Sequence, residues 1–335
     1  MTKPKTVMLI TREMQRQCFA GSDIARLADL TDFQPAQHSE LDEAKQCDAI
    51  GGAAIIITGW GTLAITPAML DAAPGLKLMC HSAGSIKHLI GEQFIARGIR
   101  VVSAAPALAV GVAEFAFAMM LTSMKAAWHC YLNTLDGKWD RAASQDWVRE
   151  PYGAVAGIVG ASFVGREMIR LCKCLSLEAI LLYDPYVSRE EAQALGVEKV
   201  DALDDLMRRS DVVSLHTPNT DECQHIINAR NLALMRDHAI LINTSRGRCL
   251  DEAALIAELE KGRLWACLDV TDPEPPEPGS PLYSLPNCVL TPHIAGAIKE
   301  NCHRQGNLVT NQIEAYVRNG RPDIEVDLSQ LHRLA

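Results

Sequence analysis

Short runs of consecutive apolar residues, rich in Val and Ile, alternate along this chain with longer stretches of helical character. The runs are TVMLIT (residues 6–11), AIIIT (54–58), LKLMCHS (76–82), VAGIVG (155–160), AILLYD (179–184), DVVSLH (211–216), AILINT (239–244), ACLDV (266–270) and VLTPH (289–293). Residues 163–174 and 251–260, lying between such runs, carry helical patterns. A strand that is apolar at nearly every position must be covered on both faces, and strands separated by helices are joined by crossovers. The alternation therefore predicts an α/β protein built on parallel sheets. With 335 residues, the chain has room for two domains of this kind. The tract DPEPPEPGSP (272–281) can be neither strand interior nor helix and reads as a rigid loop. The polar stretch 133–152, which holds Trp139 and Trp147, has no apolar period and reads as a linker.

Several classes are disfavoured. A net charge of −9 with no basic run argues against a nucleic-acid surface. Residues 101–121 are the most membrane-like stretch, but Pro106 and Glu114 interrupt it, so it reads as a buried helix. Residues 109–124 are apolar nearly all round and are expected to be buried on several sides. The first apolar run leads straight into Arg12 and Glu13, unlike a signal peptide. Eleven cysteines are scattered without a C-x-x-C pair, and Cys172 and Cys174, two apart on a helix, face different sides. They read as reduced thiols of a cytoplasmic protein, with no metal site expected.

The stretch GIVGASFVGREM (157–168) places a small-residue turn between a strand and a helix, the context of a dinucleotide fingerprint G-x-G-x-x-G. Gly160 and Gly165 occupy the first and third positions, and Ser162 stands in the second. The first glycine makes the tight turn and the third lets the helix pack on the sheet. The helix N-terminus offers N–H groups and partial positive charge to a pyrophosphate. Ser162 either sits aside or donates its hydroxyl to a phosphate oxygen. The next strand ends in Asp184, 184 − 165 = 19 residues past the last turn glycine. An acid about 20 residues on holds ribose hydroxyls and repels a 2′-phosphate, which selects NAD over NADP. The same Asp could also be an ordinary residue at a strand end.

Three later segments each end a strand with a polar group: LINTSRG with Arg246, CLDVTDPEP with Asp269 and Glu274, and LTPHIAG with His293. Ligands of open α/β sheets bind beyond the carboxyl ends of the strands, so these groups are candidates to meet at a nicotinamide. In order and spacing, the sequence from His216 to Ala297 resembles the D-isomer-specific 2-hydroxyacid dehydrogenase family. The likeness extends back through the glycine turn to GVAEFAFAMML and more loosely to LKLMCHSAGS.

The resemblance implies two Rossmann-like or flavodoxin-like domains with parallel sheets. An NAD-binding domain, residues 105–293, would be inserted into a discontinuous substrate domain, 1–104 and 294–335, with a cleft between them that closes on substrate. It implies an enzyme interconverting small 2-oxo acids, such as glyoxylate or hydroxypyruvate, and D-2-hydroxy acids. Arg246 would bind the substrate carboxylate and polarise the carbonyl. His293 would be the acid and base, with Glu274 on its second ring nitrogen. Asp269 would hold the nicotinamide carboxamide and Pro218 would sit under the adenosine. The cofactor set is completed by Phe163 and Val164 in the turn, by His216 and Thr217, by Thr244 and Ser245, and by Gly296. Gly84 and Ser85 in the loop SAGSIKH would bind the substrate carboxylate, and Trp60 in TGWGT would wall the pocket or simply pack. Lys87 and His88 stand where the family's pattern carries an Asp-Asn or Asp-His pair. A homodimer is implied through the apolar helix near Glu114. An NAD(H)-sensing protein of the same fold is the alternative to an enzyme.

Overall fold

The computed structural model of the chain describes residues 2–139, 148–298 and 300–333; Trp147 lies outside the described residues. The chain divides into two compact units, Met1–Leu108 with Ala297–Ala335, and Ala109–Gly296. The α/β class and the parallel sheets follow the alternation of the sequence.

The first unit holds a five-stranded sheet made of β1 (Lys5–Met8), β2 (Asp32–Gln34), β3 (Ile55–Thr58), β4 (Leu78–His81) and β5 (Arg100–Ser103). Their order is β2-β1-β3-β4-β5 and every pairing is parallel. β3 and β4 are buried at every position, because helices cover both faces of the sheet. One face packs Val7, Ile56 and Met79 with Phe94; the other packs Met8, Ile57 and Cys80 with Val309 and Ile313 of the helix Glu300–Asn319.

The second unit holds seven parallel strands: β6 (Val155–Val159), β7 (Ala179–Tyr183), β8 (Glu198–Lys199), β9 (Val212–Leu215), β10 (Ile240–Asn243), β11 (Trp265–Leu268) and β12 (Cys288–Leu290). The order is β12-β11-β10-β9-β6-β7-β8. The chain runs outward from β6 to β8, then returns to β9 on the other side of β6. The strand order thus reverses between β6 and β9, where doubly wound sheets open a crevice for ligands.

Four local expectations need correction. Residues 101–121 are not one helix: β5 takes their first residues, and the helix Ala105–Met124 follows. The β-branched Val101 and Val102 pair with Met79 and Cys80, and Pro106 falls in the helix's first turn, where its missing N–H costs nothing. That helix is buried along one stripe, Ala109, Val112, Ala113, Ala116 and Met120, rather than on several sides. The start of the polar stretch 133–152 is the end of a helix, Ala127–Leu135, whose outer positions are exposed. β12 stops at Leu290 and does not reach His293, for a reason given below.

Candidate active site

β6 runs into the glycine turn. Gly160 has φ 94°, a left-handed conformation, and a Cβ on Gly165 would lie 2.0 Å from the Gly160 carbonyl oxygen. Neither position accepts a side chain. Ser162 has ordinary extended angles, φ −62° and ψ 178°, so nothing there demands glycine. It is the N-cap of the helix Phe163–Cys172, and its Oγ accepts from the Gly165 N–H at 3.4 Å. Phe163 and Val164 open that helix, so their N–H groups have no carbonyl partner within it.

Asp184 stands just past β7. Its Oδ2 accepts from the Ala161 N–H at 2.8 Å and its Oδ1 from the Tyr186 N–H at 2.8 Å, which fixes the carboxylate beside the turn. Beyond β9, His216 is buried and its carbonyl oxygen touches the space a Gly160 side chain would need. Burial drives the His216 pKa from its ordinary 6.5 to about 3, so the ring is neutral. Neither of its ring nitrogens has a hydrogen-bond partner among the described residues, and neither does the buried Thr244 Oγ1 beyond β10. Pro218, half-buried, follows His216 and Thr217, and its carbonyl receives the Cys249 thiol at 3.8 Å. Unsatisfied buried polar groups are uncommon unless a ligand completes them. Such groups at the ends of β9 and β10, with free amides at the helix start and a fixed acid past β7, fit a dinucleotide laid across these strand ends.

The registers Asn243↔Leu268 and Leu268↔Leu290 bring the carboxyl ends of β10, β11 and β12 level. Past β10, Asn243 ties the chain: its Oδ1 accepts from the Ser245 N–H and Oγ at 3.0 and 2.8 Å, and its Nδ2 donates to the Arg246 carbonyl at 3.0 Å. A Cβ on Gly247 would lie 2.0 Å from the Thr271 carbonyl, so glycine is what lets the β10 loop sit against the β11 loop. The Arg246 guanidinium is half-buried and donates to the Ser245 carbonyl at 2.6 Å.

Past β11, Asp269 is buried and accepts three hydrogen bonds from the segment after β12. Its Oδ1 takes Thr291 Oγ1 at 2.6 Å and the Ile294 N–H at 2.9 Å; its Oδ2 takes the Ala295 N–H at 2.9 Å. The His293 N–H also donates to the Asp269 carbonyl at 2.9 Å. This clamp ends β12 early and bends the chain, leaving His293 at φ 54°, a conformation that is uncommon for a non-glycine residue. The imidazole Nδ1 then lies 2.7 Å from Glu274 Oε1, both side chains being about half exposed. Gly296 follows, half-buried.

In the first unit, Gly84 and Ser85 are half-buried in the loop after β4. Trp60, after β3, packs against the core face formed with the helix Glu300–Asn319. Sequence reasoning missed the tie made by Asn243 and the clamp made by Asp269. Most of their partners are backbone groups, which leave no pattern in the sequence. The cap at Ser162 was legible, since a serine directly before a helical pattern is a start signal.

The description "D-isomer specific 2-hydroxyacid dehydrogenase, NAD binding domain" applies to the family matched by residues 117–295. The D-3-phosphoglycerate dehydrogenase of Methanocaldococcus jannaschii is 32% identical over 279 residues, 83% of this chain and 52% of that protein. The chain thus spans about half the length of that relative. The glyoxylate reductase of Korarchaeum cryptofilum is 33% identical over 291 residues, 86% of this chain and 85% of the relative. Among solved structures, a phosphoglycerate oxidoreductase from Rhizobium etli shares the fold with a TM-score of 0.83 at 23% identity, covering 97% of this chain and 99% of that one.

Proposed function

The chain belongs to the D-isomer-specific 2-hydroxyacid dehydrogenase family, and from that premise we propose that it interconverts small 2-oxo acids and D-2-hydroxy acids with NAD, on substrates of glyoxylate or hydroxypyruvate size. The observation that carries the reading is the His293–Glu274 pair, 2.7 Å apart, on the strand-end edge that also bears Arg246. When bound, NADH supplies the hydride. His293 protonates the carbonyl oxygen during reduction and takes the proton back during oxidation. Glu274 on Nδ1 fixes the tautomer and orientation of the ring, leaving Nε2 for the exchange. Arg246 binds the substrate carboxylate and polarises the carbonyl. Asp269 aims the His293 segment, and any contact with the carboxamide is additional to that task.

Asp184 receives ribose hydroxyls and disfavours a 2′-phosphate. His216, Thr217 and Pro218, with Thr244, Ser245 and Gly296, line the remainder of the cofactor's path, and Phe163 and Val164 give their amides to the pyrophosphate. In the first unit, the amides of Gly84 and Ser85 are the groups assigned to the substrate carboxylate. The exposed apolar side chains Tyr131, Leu132, Leu135 and Trp139, near the half-buried outer face of the helix Ala105–Met124, support a homodimer. The protein is assigned to the cytoplasm.

The test is NADH oxidation by the purified protein against glyoxylate, hydroxypyruvate, pyruvate and phenylpyruvate, repeated with NADPH. Turnover favouring NADH supports both the reaction and Asp184. Turnover favouring NADPH keeps the reaction and removes Asp184 from cofactor choice. NADH binding without turnover of any 2-oxo acid moves the protein to the sensing alternative.

A further inference from the structure

Two buried side chains stand behind the loop after β4, and one of them holds two consecutive carbonyls. Ser103, the last residue of β5, directs its Oγ to the Gly84 carbonyl at 2.8 Å and the Ala83 carbonyl at 3.2 Å. His81, the last residue of β4, is 1% exposed, and its Nδ1 lies 2.9 Å from Thr58 Oγ1. Thr58 is fully buried, and its hydroxyl has no other partner among the described residues. A buried hydroxyl gives its hydrogen to the acceptor at hand, so Thr58 donates to Nδ1 and the imidazole carries its own proton on Nε2. Nε2 has no well-formed hydrogen bond and lies beside the Ser85 backbone, which favours the protonated ring. Burial outweighs that pull and, with His88 nearby, drives the His81 pKa down to about 3. The ring is therefore neutral at any working pH.

A trans peptide points its N–H opposite to its C=O. With the carbonyls of Ala83 and Gly84 turned toward Ser103, the N–H groups of Gly84 and Ser85 are turned the other way. Neither amide has an acceptor among the described residues. Successive outward N–H groups form a concavity for an anion.

We propose that Ser103 is a positioning residue that orients the Gly84 and Ser85 amides to receive the substrate carboxylate, without itself touching it, and that His81 backs the same loop beside Ser85. The inference rests on the oxidoreductase reading above. Thr58 acts one step further back, by fixing the His81 tautomer.

The experiment compares the full-length wild type with Ser103→Ala, Ser103→Thr and His81→Asn. The readouts are kcat and KM for glyoxylate, the Kd of oxamate for the NADH complex, and the Kd of NADH. Loss of one aligned donor predicts about tenfold higher KM and oxamate Kd for Ser103→Ala, with kcat within about threefold and NADH affinity unchanged. Ser103→Thr, which keeps the hydroxyl, restores both. His81→Asn, which reaches Thr58 but not Ser85, weakens oxamate several-fold. If Ser103→Ala and His81→Asn match the wild type in KM and oxamate Kd, the proposal is overturned and the reaction stands. A parallel loss of kcat and NADH affinity in Ser103→Ala also overturns it, because that pattern is general damage. Should His81→Asn not fold, the Ser103 pair decides. A wild type that binds NADH but neither turns over a 2-oxo acid nor binds oxamate refutes the oxidoreductase reading, and the proposal with it.

Discussion

Asp269→Asn separates two tasks that one carboxylate could perform. In the wild type, the buried group accepts from Thr291 Oγ1, the Ile294 N–H and the Ala295 N–H. The best asparagine rotamer keeps its oxygen on Thr291 and Ile294 and turns its NH2 toward the Ala295 N–H, so donor faces donor in a buried place. The two surviving bonds also lose charge assistance. Hydrogen bonds to charged groups are worth about 1.5–3 kcal/mol and an orphaned buried donor costs about 1–3 kcal/mol, so a total near 2–4 kcal/mol is expected. For a unit of this size, that corresponds to a fall in Tm of about 5–12 °C. Release of the clamp also lets His293 leave its left-handed backbone conformation, and kcat should fall at least about tenfold. The assay is calorimetry of the NADH-free protein, with kcat and NADH affinity measured on the same preparations. A Tm within about 2 °C of wild type with unchanged kcat would refute the clamp. An unchanged Tm with weakened NADH binding would show that the carboxylate acts on the cofactor instead.

Three further outcomes are expected. His293→Ala should leave NADH binding nearly intact while reduction falls by roughly 10²–10⁴, the scale of a lost general acid; steady-state kinetics beside a fluorescence titration checks it. Ser162→Gly should change NADH affinity by less than about tenfold, because glycine replaces a serine N-cap at a cost of only a few tenths of a kcal/mol; a larger shift in titrated Kd would make the hydroxyl a ligand. His216 titrates near 6.5 when unfolded and at about 3 when folded. Between those values only the unfolded chain binds the proton, so its contribution to stability is lost as pH falls from 6.5 toward 3. Denaturation midpoints at neutral and acid pH should therefore diverge less in His216→Asn than in the wild type.

The long central strands could be read from sequence because both of their faces are covered, which makes them continuously apolar. The strands that escaped notice are those with less to bury or with a misleading context. β2 and β8 are short edge strands, and β8 is the charged pair Glu198–Lys199. β5 was hidden because its valines merge into the apolar helix behind it. At the site, Gly160, Gly165, Asp184, Arg246, Glu274 and His293 could be singled out because their spacing is fixed along one stretch of chain. Asn243 and Ser103 could not, because each satisfies backbone groups of a loop, and such partners carry no side-chain signature. The sequence VLTPH carries a strand pattern as far as His293. A strand propensity in VLTPH cannot anticipate a carboxylate 24 residues upstream, 293 − 269 = 24, that pulls the chain out of register.

The helix Glu300–Asn319 bears on how the chain matures during synthesis. Its Cys302, Val309 and Ile313 complete the core face built on β1, β3 and β4. The second unit, Ala109–Gly296, is continuous in sequence and holds all the groups of its own sheet. As residues leave the ribosome in order, the second unit can close while the face of Met8, Ile10, Ile57 and Cys80 still lacks Cys302, Val309 and Ile313. Domains ordinarily fold from the N-terminus onward during translation. Here the segment made first is finished last: its five strands are all made by Ser103, but one face of their sheet stays incomplete until Glu300–Asn319 arrives.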